Sequence, residues 1–300
     1  MNHYTNQKKV SSMAWYNKYL QVYEKSYDEV AFKDIVSTVR SNLKSLQSDE
    51  PLVTVSVIAY NEEKHLLACL WALSEMKVQY PIEIIGVDNE SKDRTAEIFR
   101  AVDMPYYTET QHSCGHARLC GLSHARGKYH VNIDADTLYP SQYVNILIGV
   151  MEKSPEVVGV SATWGYFPTE NYSKYDLALY VFCRNLYLRV QSWKRPELSV
   201  RGLVFAYRTE EARKVGIRVH IVRGEDGALA FGLRQYGKIT IIFNREARVI
   251  TGYGTVGNKG LWKRFWVRIS QIMGKFGSIF TAAKEYKDQD HNIVKTPKKE

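Results

Sequence analysis

Tyr129-His130-Val131-Asn132-Ile133-Asp134-Ala135-Asp136 is the stretch on which the reading of this chain turns. Its first five residues have the apolar, β-branched character of a buried strand, and two carboxylates one residue apart follow at once. Placed after a strand and before Pro140, Asp134 and Asp136 can point into one cavity. Hard oxygen donors of this kind suit Mg²⁺ or Mn²⁺ that keeps positions open for phosphate oxygens. Alone, Asp-x-Asp is a common pairing for which a solvated turn is the favoured reading, so its meaning depends on the surrounding sequence.

Upstream the same pattern recurs. Val53-Thr54-Val55-Ser56-Val57-Ile58-Ala59 reads as a strand that runs into Tyr60-Asn61-Glu62, and residues 82–87 read as a second strand ending in Asp88-Asn89. Helices are predicted over 62–76, 95–102 and 116–125, with a short strand near Tyr106. Alternating strands and helices predict an α/β fold with a mostly parallel sheet covered on both faces. Ligands of such sheets bind at the carboxyl ends of the strands, where Tyr60–Glu62, Asp88–Asn89 and Asp134/Asp136 all fall. The second half is more mixed, with strands predicted over 157–162, 203–207 and 239–243 and helices over 175–190 and 227–234.

Four segments in fixed order, residues 55–63, 87–93, 132–136 and Gly224-Glu225-Asp226-Gly227, resemble the family 2 glycosyltransferases. The resemblance runs from about Leu52 to Thr251 and implies a GT-A, Rossmann-like fold. It further implies a nucleotide-sugar site formed by Ala59, Tyr60, Glu62, Asp88, Asn89, Arg118 and Asp134, with Tyr60 beside the base and Glu62 near the ribose. Asn89 stands where the family usually has a second aspartate, and Leu119 where it has an asparagine. Asp134 and Asp136 match the metal-binding pair, Asp226 the catalytic base with Glu225 beside it, and Gly202 the glycine-led strand on the acceptor side. Trp164 is placed on that side as an aromatic able to stack on a sugar, although such rings more often fill a core. The implied function is inverting transfer of a sugar from a UDP- or GDP-sugar to a glycan or lipid-linked acceptor in cell-surface polysaccharide, lipopolysaccharide or glycolipid assembly. Three bland readings stand beside it. Glu225-Asp226 could simply charge a helix first turn, Arg118 could be a surface residue, and Tyr60 the last core aromatic of its strand.

Composition narrows the alternatives. At 45% apolar and 24% charged residues over 300 positions, the chain is globular and buries a sizeable core. Four scattered cysteines fit a reducing compartment, and Met1 is followed by polar residues rather than an apolar signal core, so a cytoplasmic location is expected. His112, Cys114, His116 and Cys120 lack the spacing of a zinc finger. A nucleotidyltransferase would want a glycine-rich phosphate loop after the first strand, and Tyr60-Asn61-Glu62-Glu63 has no glycine. A non-catalytic glycan- or membrane-binding relative is the remaining alternative.

The net charge is +9, and between Asn258 and Glu300 ten Lys/Arg face four Asp/Glu, a surplus of six. That concentration argues for a local basic patch and against a nucleic-acid surface. Leu261, Trp262, Phe265, Trp266, Ile269, Ile272, Met273, Phe276, Ile279 and Phe280 repeat at helical spacing with Lys263, Arg264, Arg268 and Lys275 between them. A basic amphipathic helix of this kind either docks on the domain or lies on an anionic membrane, which would place the chain peripherally on the inner face of the cell membrane. The expected organisation is an N-terminal helical extension over 1–50, including a helix over 11–47, a GT-A domain over 51–255, and a basic amphipathic helix and tail over 256–300.

Overall fold

A computed structural model describes residues 14–168, 170, 172–221, 224–252, 260–263, 265–266, 270, 285–287 and 293–295. Helix α1 (Lys33–Leu46) precedes strand β1 (Val53–Ala59), helix α2 (Leu66–Ser74), strand β2 (Ile82–Asp88), helix α3 (Thr95–Ala101) and strand β3 (Tyr106–Thr108). Helix α4 (Cys114–His124), strand β4 (Tyr129–Asp134), strand β5 (Thr137–Leu138), helix α5 (Tyr143–Lys153), strand β6 (Val157–Ser161) and strand β7 (Trp164–Tyr166) follow. Then come helix α6 (Lys174–Ser192), strand β8 (Phe205–Arg208), helix α7 (Thr209–Val215), helix α8 (Glu225–Leu233), strand β9 (Lys238–Ile241) and strand β10 (Val249–Thr251).

The main sheet has seven strands in the order β3-β2-β1-β4-β8-β6-β9, antiparallel only where β8 meets β4 and β6. The chain builds outward from β1 through β2 to β3 and then crosses back to lay β4 on the other side of β1. The carboxyl ends of β1 and β4 therefore flank the point where the winding reverses, which is where open α/β sheets leave a crevice. Register tightens this: Ile58 pairs with Asp134, and Ala59 with Asp88.

Side chains alternate across the sheet as the pleat requires. Val53, Val55, Val57, Ile82, Ile84, Val131 and Ile133 join the larger core with α1, α2 and α5. On the opposite face Phe205, Tyr207, Val158 and Ile239 pack with residues of α4, α7 and α8. Both faces are thus covered by helices, as the α/β, GT-A reading expects. Packing of α4 is close enough that a Cβ at Gly121 would lie 2.2 Å from Ser56 Oγ.

The N-terminal helix expected over 11–47 is not continuous. Among the described residues of that span only Lys33–Leu46 is α-helical, preceded by a short 3₁₀ turn at Asn17–Gln21, and Glu24 takes φ +61°. The apolar spacing was a true signal of burial but not of helix. Tyr19, Val22, Tyr23 and Tyr27 are buried in the main core, Glu24 N–H donates to Lys64 O at 2.8 Å, and Tyr23 packs between His65 and Phe167. Those tertiary contacts require a bend that a regular helix cannot make. Among the expected C-terminal apolar residues, 261–263 and 265–266 are helical, and Leu261, Trp262 and Phe265 dock against Leu177, Tyr180 and Val181 of α6. The rest of the expected 261–280 helix lies outside the described residues, apart from Ser270.

His130 in β4 is fully buried against Tyr207, with ring centroids 5.1 Å apart, and neither ring nitrogen has a hydrogen-bond partner among the described residues. Burial, aided by the charge of Arg118, drives its pKa down to about 3. The unfolded chain binds a proton near pH 6.5 while the fold refuses it, so stability present above that pH is lost as pH falls toward 3. A His130→Phe variant should lose up to about 1.4 kcal/mol per pH unit of that acid sensitivity between pH 6 and 4, read from urea melts of both proteins.

Candidate functional site

The site is built where β1, β2 and β4 end, and its loops are tied to one another before any ligand is considered. After β1, Asn61 adopts φ +55°. Its N–H donates to Ser91 Oγ (2.9 Å), and its Oδ1 accepts from Lys92 N–H (2.8 Å). Glu62 N–H donates to Thr95 Oγ1 (2.8 Å) and Glu63 N–H to Asp93 Oδ2 (3.0 Å). Asp88 is buried, with Oδ1 accepting from Ser91 N–H at 3.2 Å. Asn89 spends both amide protons on the carbonyls of Glu109 (2.8 Å) and Gln111 (2.9 Å), so the amide at this position holds the neighbouring loop. Tyr60 is 48% exposed beside His112, with ring centroids 5.3 Å apart, which sets aside its reading as a core aromatic.

Asp134 and Asp136 sit at the end of β4, each partly exposed in the recess. Tyr139 O–H accepts from Asp134 N–H (3.0 Å) and donates to Leu203 O (2.9 Å). Asp136 has its carbonyl held by Tyr23 O–H at 2.9 Å, and its Oδ1 accepts from Thr137 Oγ1 at 3.0 Å and Thr251 Oγ1 at 3.5 Å. Glu62 lies near enough to raise the pKa of Asp136, after burial, and itself pairs with His65 Nδ1 at 2.6 Å. Burial, together with the charges of Asp136 and Asp226, pushes Asp134 up to about 6 even though Arg118 pulls it down.

Arg118 is not a surface residue. Its side chain is 3% exposed and bridges two acids: Nη2 lies 3.0 Å from Asp134 Oδ1, and Nε lies 3.2 Å from Asp226 Oδ1. Asp226 stands in the first turn of α8, which is preceded by Gly224 at φ +108°. One guanidinium therefore lies between the acid at the end of β4 and the acid at the start of α8. Glu225 behaves differently from its neighbour. It is buried and accepts from Gly224 N–H at 3.0 Å in the first turn of α8, where a carboxylate opposes the helix dipole. Burial and the Asp226 charge raise its pKa.

Gly202 lies against this bridge. A Cβ there would be 2.1 Å from Arg118 Nη2 and 2.5 Å from Asp226 Oδ2, so absence of a side chain is what lets the bridge form. Trp164 is buried, with the Arg184 guanidinium 4.2 Å from its ring centroid and its Nε1 donating to Tyr166 O–H at 3.2 Å. Its stacking surface is thus shared with a cation of α6. Of the soft residues weighed for zinc, His112 pairs with Glu90 at 3.0 Å, His116 with Ser113 Oγ at 2.8 Å, and Cys120 sits beside His124. Among the described residues no group of three His, Cys, Asp or Glu side chains is gathered as a ready ligand set. Asp134 and Asp136 each give one oxygen to a protein partner and keep a second for a hard cation, a donor set that fits Mg²⁺ or Mn²⁺ completed by phosphate oxygens and water.

Four contributors were not foreseen. Tyr139 follows the acidic pair closely enough to have been suspected, whereas Tyr23, His65 and Thr251 reach the site only through tertiary folding and leave no local signal.

Comparison with known proteins places this arrangement. The sequence profile described as glycosyl transferase family 2 matches residues 54–215. The SPbeta prophage-derived glycosyltransferase SunS of Bacillus subtilis is 30% identical over 124 residues, covering 40% of this chain and 27% of that protein. Glycosyltransferase GlyG of Streptococcus pneumoniae is 32% identical over 114 residues, covering 36% of this chain and 38% of its own length. The matched segment thus spans well under half of each curated relative. Among solved structures, the Pyrobaculum calidifontis mannosyltransferase PcManGT, in complex with GDP-Man and Mn²⁺, superposes with a TM-score of 0.56 at 17% identity over 89% of this chain and 77% of that one. Residues 1–349 of S. aureus TarS in complex with UDP give 0.51 at 15% identity, covering 67% and 60%. These likenesses establish the shared fold.

Because Gly202 keeps space for a pinned guanidinium, Gly202→Ala should cost about 1–3 kcal/mol in unfolding free energy. It should also reduce turnover. Urea melts and steady-state rates check both, and a variant matching the parent in the two would show that Arg118 moves aside freely.

Proposed function

The chain belongs to glycosyl transferase family 2, and we propose that it moves a sugar from a UDP- or GDP-sugar to an acceptor hydroxyl with inversion at the anomeric carbon. The observation that supports this most is the convergence of Asp134, Asp136, Arg118 and Asp226, delivered by separate elements, on one recess at the reversal point of the sheet. The complexes of PcManGT with GDP-Man and Mn²⁺ and of TarS with UDP favour a nucleotide-sugar donor and a divalent cation.

Tyr60, exposed at the rim, is assigned to the base together with Asp88 and Asn89, whose Oδ1 remains an acceptor once its amide protons are spent. Ala59 and Glu62 line the same loop. Asp134 and Asp136 would hold Mn²⁺ or Mg²⁺, which when bound supplies a Lewis acid for the charge developing on the departing diphosphate. Arg118 adds a buried positive charge to the recess, and its Nη1 has no hydrogen-bond partner among the described residues. Asp226 is assigned as the base. The acceptor oxygen forms its bond to the anomeric carbon as the bond from that carbon to the diphosphate oxygen breaks. Asp226 takes the hydroxyl proton, and a single displacement of this kind inverts the centre. Gly202 and Trp164 are placed on the acceptor side, and the acceptor is a glycan or lipid-linked chain of cell-surface glycan assembly.

Removing the base separates these roles. Asp226→Asn should lower kcat by about 10²–10⁴ with little change in donor affinity, measured as nucleoside diphosphate released with Mn²⁺ present. Asp134→Asn and Asp136→Asn should instead raise the Mn²⁺ concentration needed for half-maximal rate. Near-normal turnover by Asp226→Asn would remove the base assignment.

A further inference from the structure

Helix α6 is apolar on two opposite sides. Leu177, Tyr180, Val181 and Leu188 face inward and are buried. Tyr175, Leu179, Phe182, Leu186, Val190 and, just past its end, Trp193 are all exposed, with Tyr175 at 75%, Phe182 at 67% and Trp193 at 72%. Their steps of three and four residues place them on one stripe along a helix of 19 residues, about 28 Å long. An isolated exposed leucine needs no explanation, but six large apolar side chains in one stripe do.

The charges beside the stripe are mostly positive. Lys174 sits 5.2 Å from the Tyr175 ring at one end and Lys194 5.5 Å from the Trp193 ring at the other. Arg189 lies 4.2 Å over Phe243, and with Arg245 and Arg248 it lines a cavity of about 580 Å³ whose wall includes Phe182 and Leu186. The single carboxylate of the helix, Asp176, is spent in a capping box with Ser173. Leu261, Trp262 and Phe265 pack on the inner side of α6 and leave Trp266 61% exposed. The basic, tryptophan-bearing stretch of the sequence therefore begins against the inner side of the same helix.

We propose that this face of α6 docks on an anionic bilayer surface. The pattern fits a helix lying in the interface: a continuous apolar stripe, aromatics at its ends, and cations flanking it to meet lipid phosphates. No helix among the described residues is long and apolar enough to cross a membrane, so the surface would rest on the bilayer. Charge disfavours the other occupants. A second copy docked by the same face would set Arg189, Arg245 and Lys194 against their own counterparts. The chain beyond residue 258 carries a surplus of six positive charges and would meet the same repulsion.

The inference stands apart from the transfer reaction and is tested without substrate. The full chain is incubated with vesicles of phosphatidylglycerol mixed with phosphatidylcholine, and with phosphatidylcholine alone, then sedimented. Binding to the anionic vesicles, weakened by added salt, is expected, with little binding to the neutral ones. A Phe182→Ser, Leu186→Ser double variant should bind about tenfold or more weakly while melting at the parent temperature, because both side chains are exposed. Arg189→Glu should weaken binding to the anionic vesicles alone. Absence of binding by the parent chain overturns the proposal. So does full binding by the double variant, which would assign the contact to the segment after 258, or a parent dimer that the double variant returns to monomer.

Discussion

The position of the Arg118 guanidinium is the constraint on which the rest of the site depends. A buried cation is costly unless charged partners receive it, and this one has Asp134 on one side and Asp226 on the other. The pairing ties α4 to the end of the next strand, β4, and to the start of α8 much further along the chain. It also bears on what lies beside it: a Cβ at 202 would overlap Nη2, so a side chain there would force the guanidinium to shift. A glycine that resemblance alone places near the acceptor thus has a steric cause that can be stated in ångströms.

The same guanidinium leaves the charge of the recess incompletely balanced. Asp134, Asp136, Asp226, Glu225 and Glu62 interact there, and burial raises the pKa of Asp134, Asp136 and Glu225, while among the described residues Arg118 is the buried cation paired with Asp134 and Asp226. Carboxylates held by rigid neighbours cannot relax apart. Tyr23 fixes the Asp136 carbonyl, Tyr139 fixes Asp134 N–H, and Thr137 and Thr251 fix the Asp136 carboxylate. A divalent ion arriving at such a site would find its ligands already placed, which is the condition for strong electrostatic stabilisation.

Sequence patterns carried the first half of the fold well because there each strand ends in a chemically distinctive loop. Residues 53–59, 82–87 and 129–133 were readable as strands from β-branched runs, and the acids that follow them fall at the ends of β2 and β4. The short strands β5, β7 and β10 left no such mark, being two or three residues long and paired across more than eighty residues of chain. The N-terminal segment misled for the opposite reason. Its aromatics are spaced as in a helix, yet they are buried by reaching His65, Phe167 and Glu75, which helical periodicity does not encode. In the site, the resemblance pointed to Asp134, Asp136 and Asp226, and the structure brings the first and last of these to one guanidinium, but the sequence could not tell that Glu225 would be buried and bonded to Gly224 N–H. Nor could it tell that Asn89 would spend its protons on the backbone. Both distinctions depend on where hydrogen-bond partners lie in three dimensions.

Helix α6 connects the two surfaces. From its inner face Arg184, itself buried, reaches across to the Trp164 ring and donates to the Trp164 carbonyl. Trp164 opens β7, which pairs with β10, and β10 carries Thr251 to the Asp136 carboxylate. The outward stripe and the acidic recess are therefore joined through a short series of packed groups. A helix apolar on both sides needs a partner for each. The described residues supply one, and a bilayer on the other side would hold the proposed acceptor-side wall at a fixed height above the lipid phosphates. That geometry suits an acceptor anchored in the same membrane, since confinement to a plane replaces a search through solution with one across a surface.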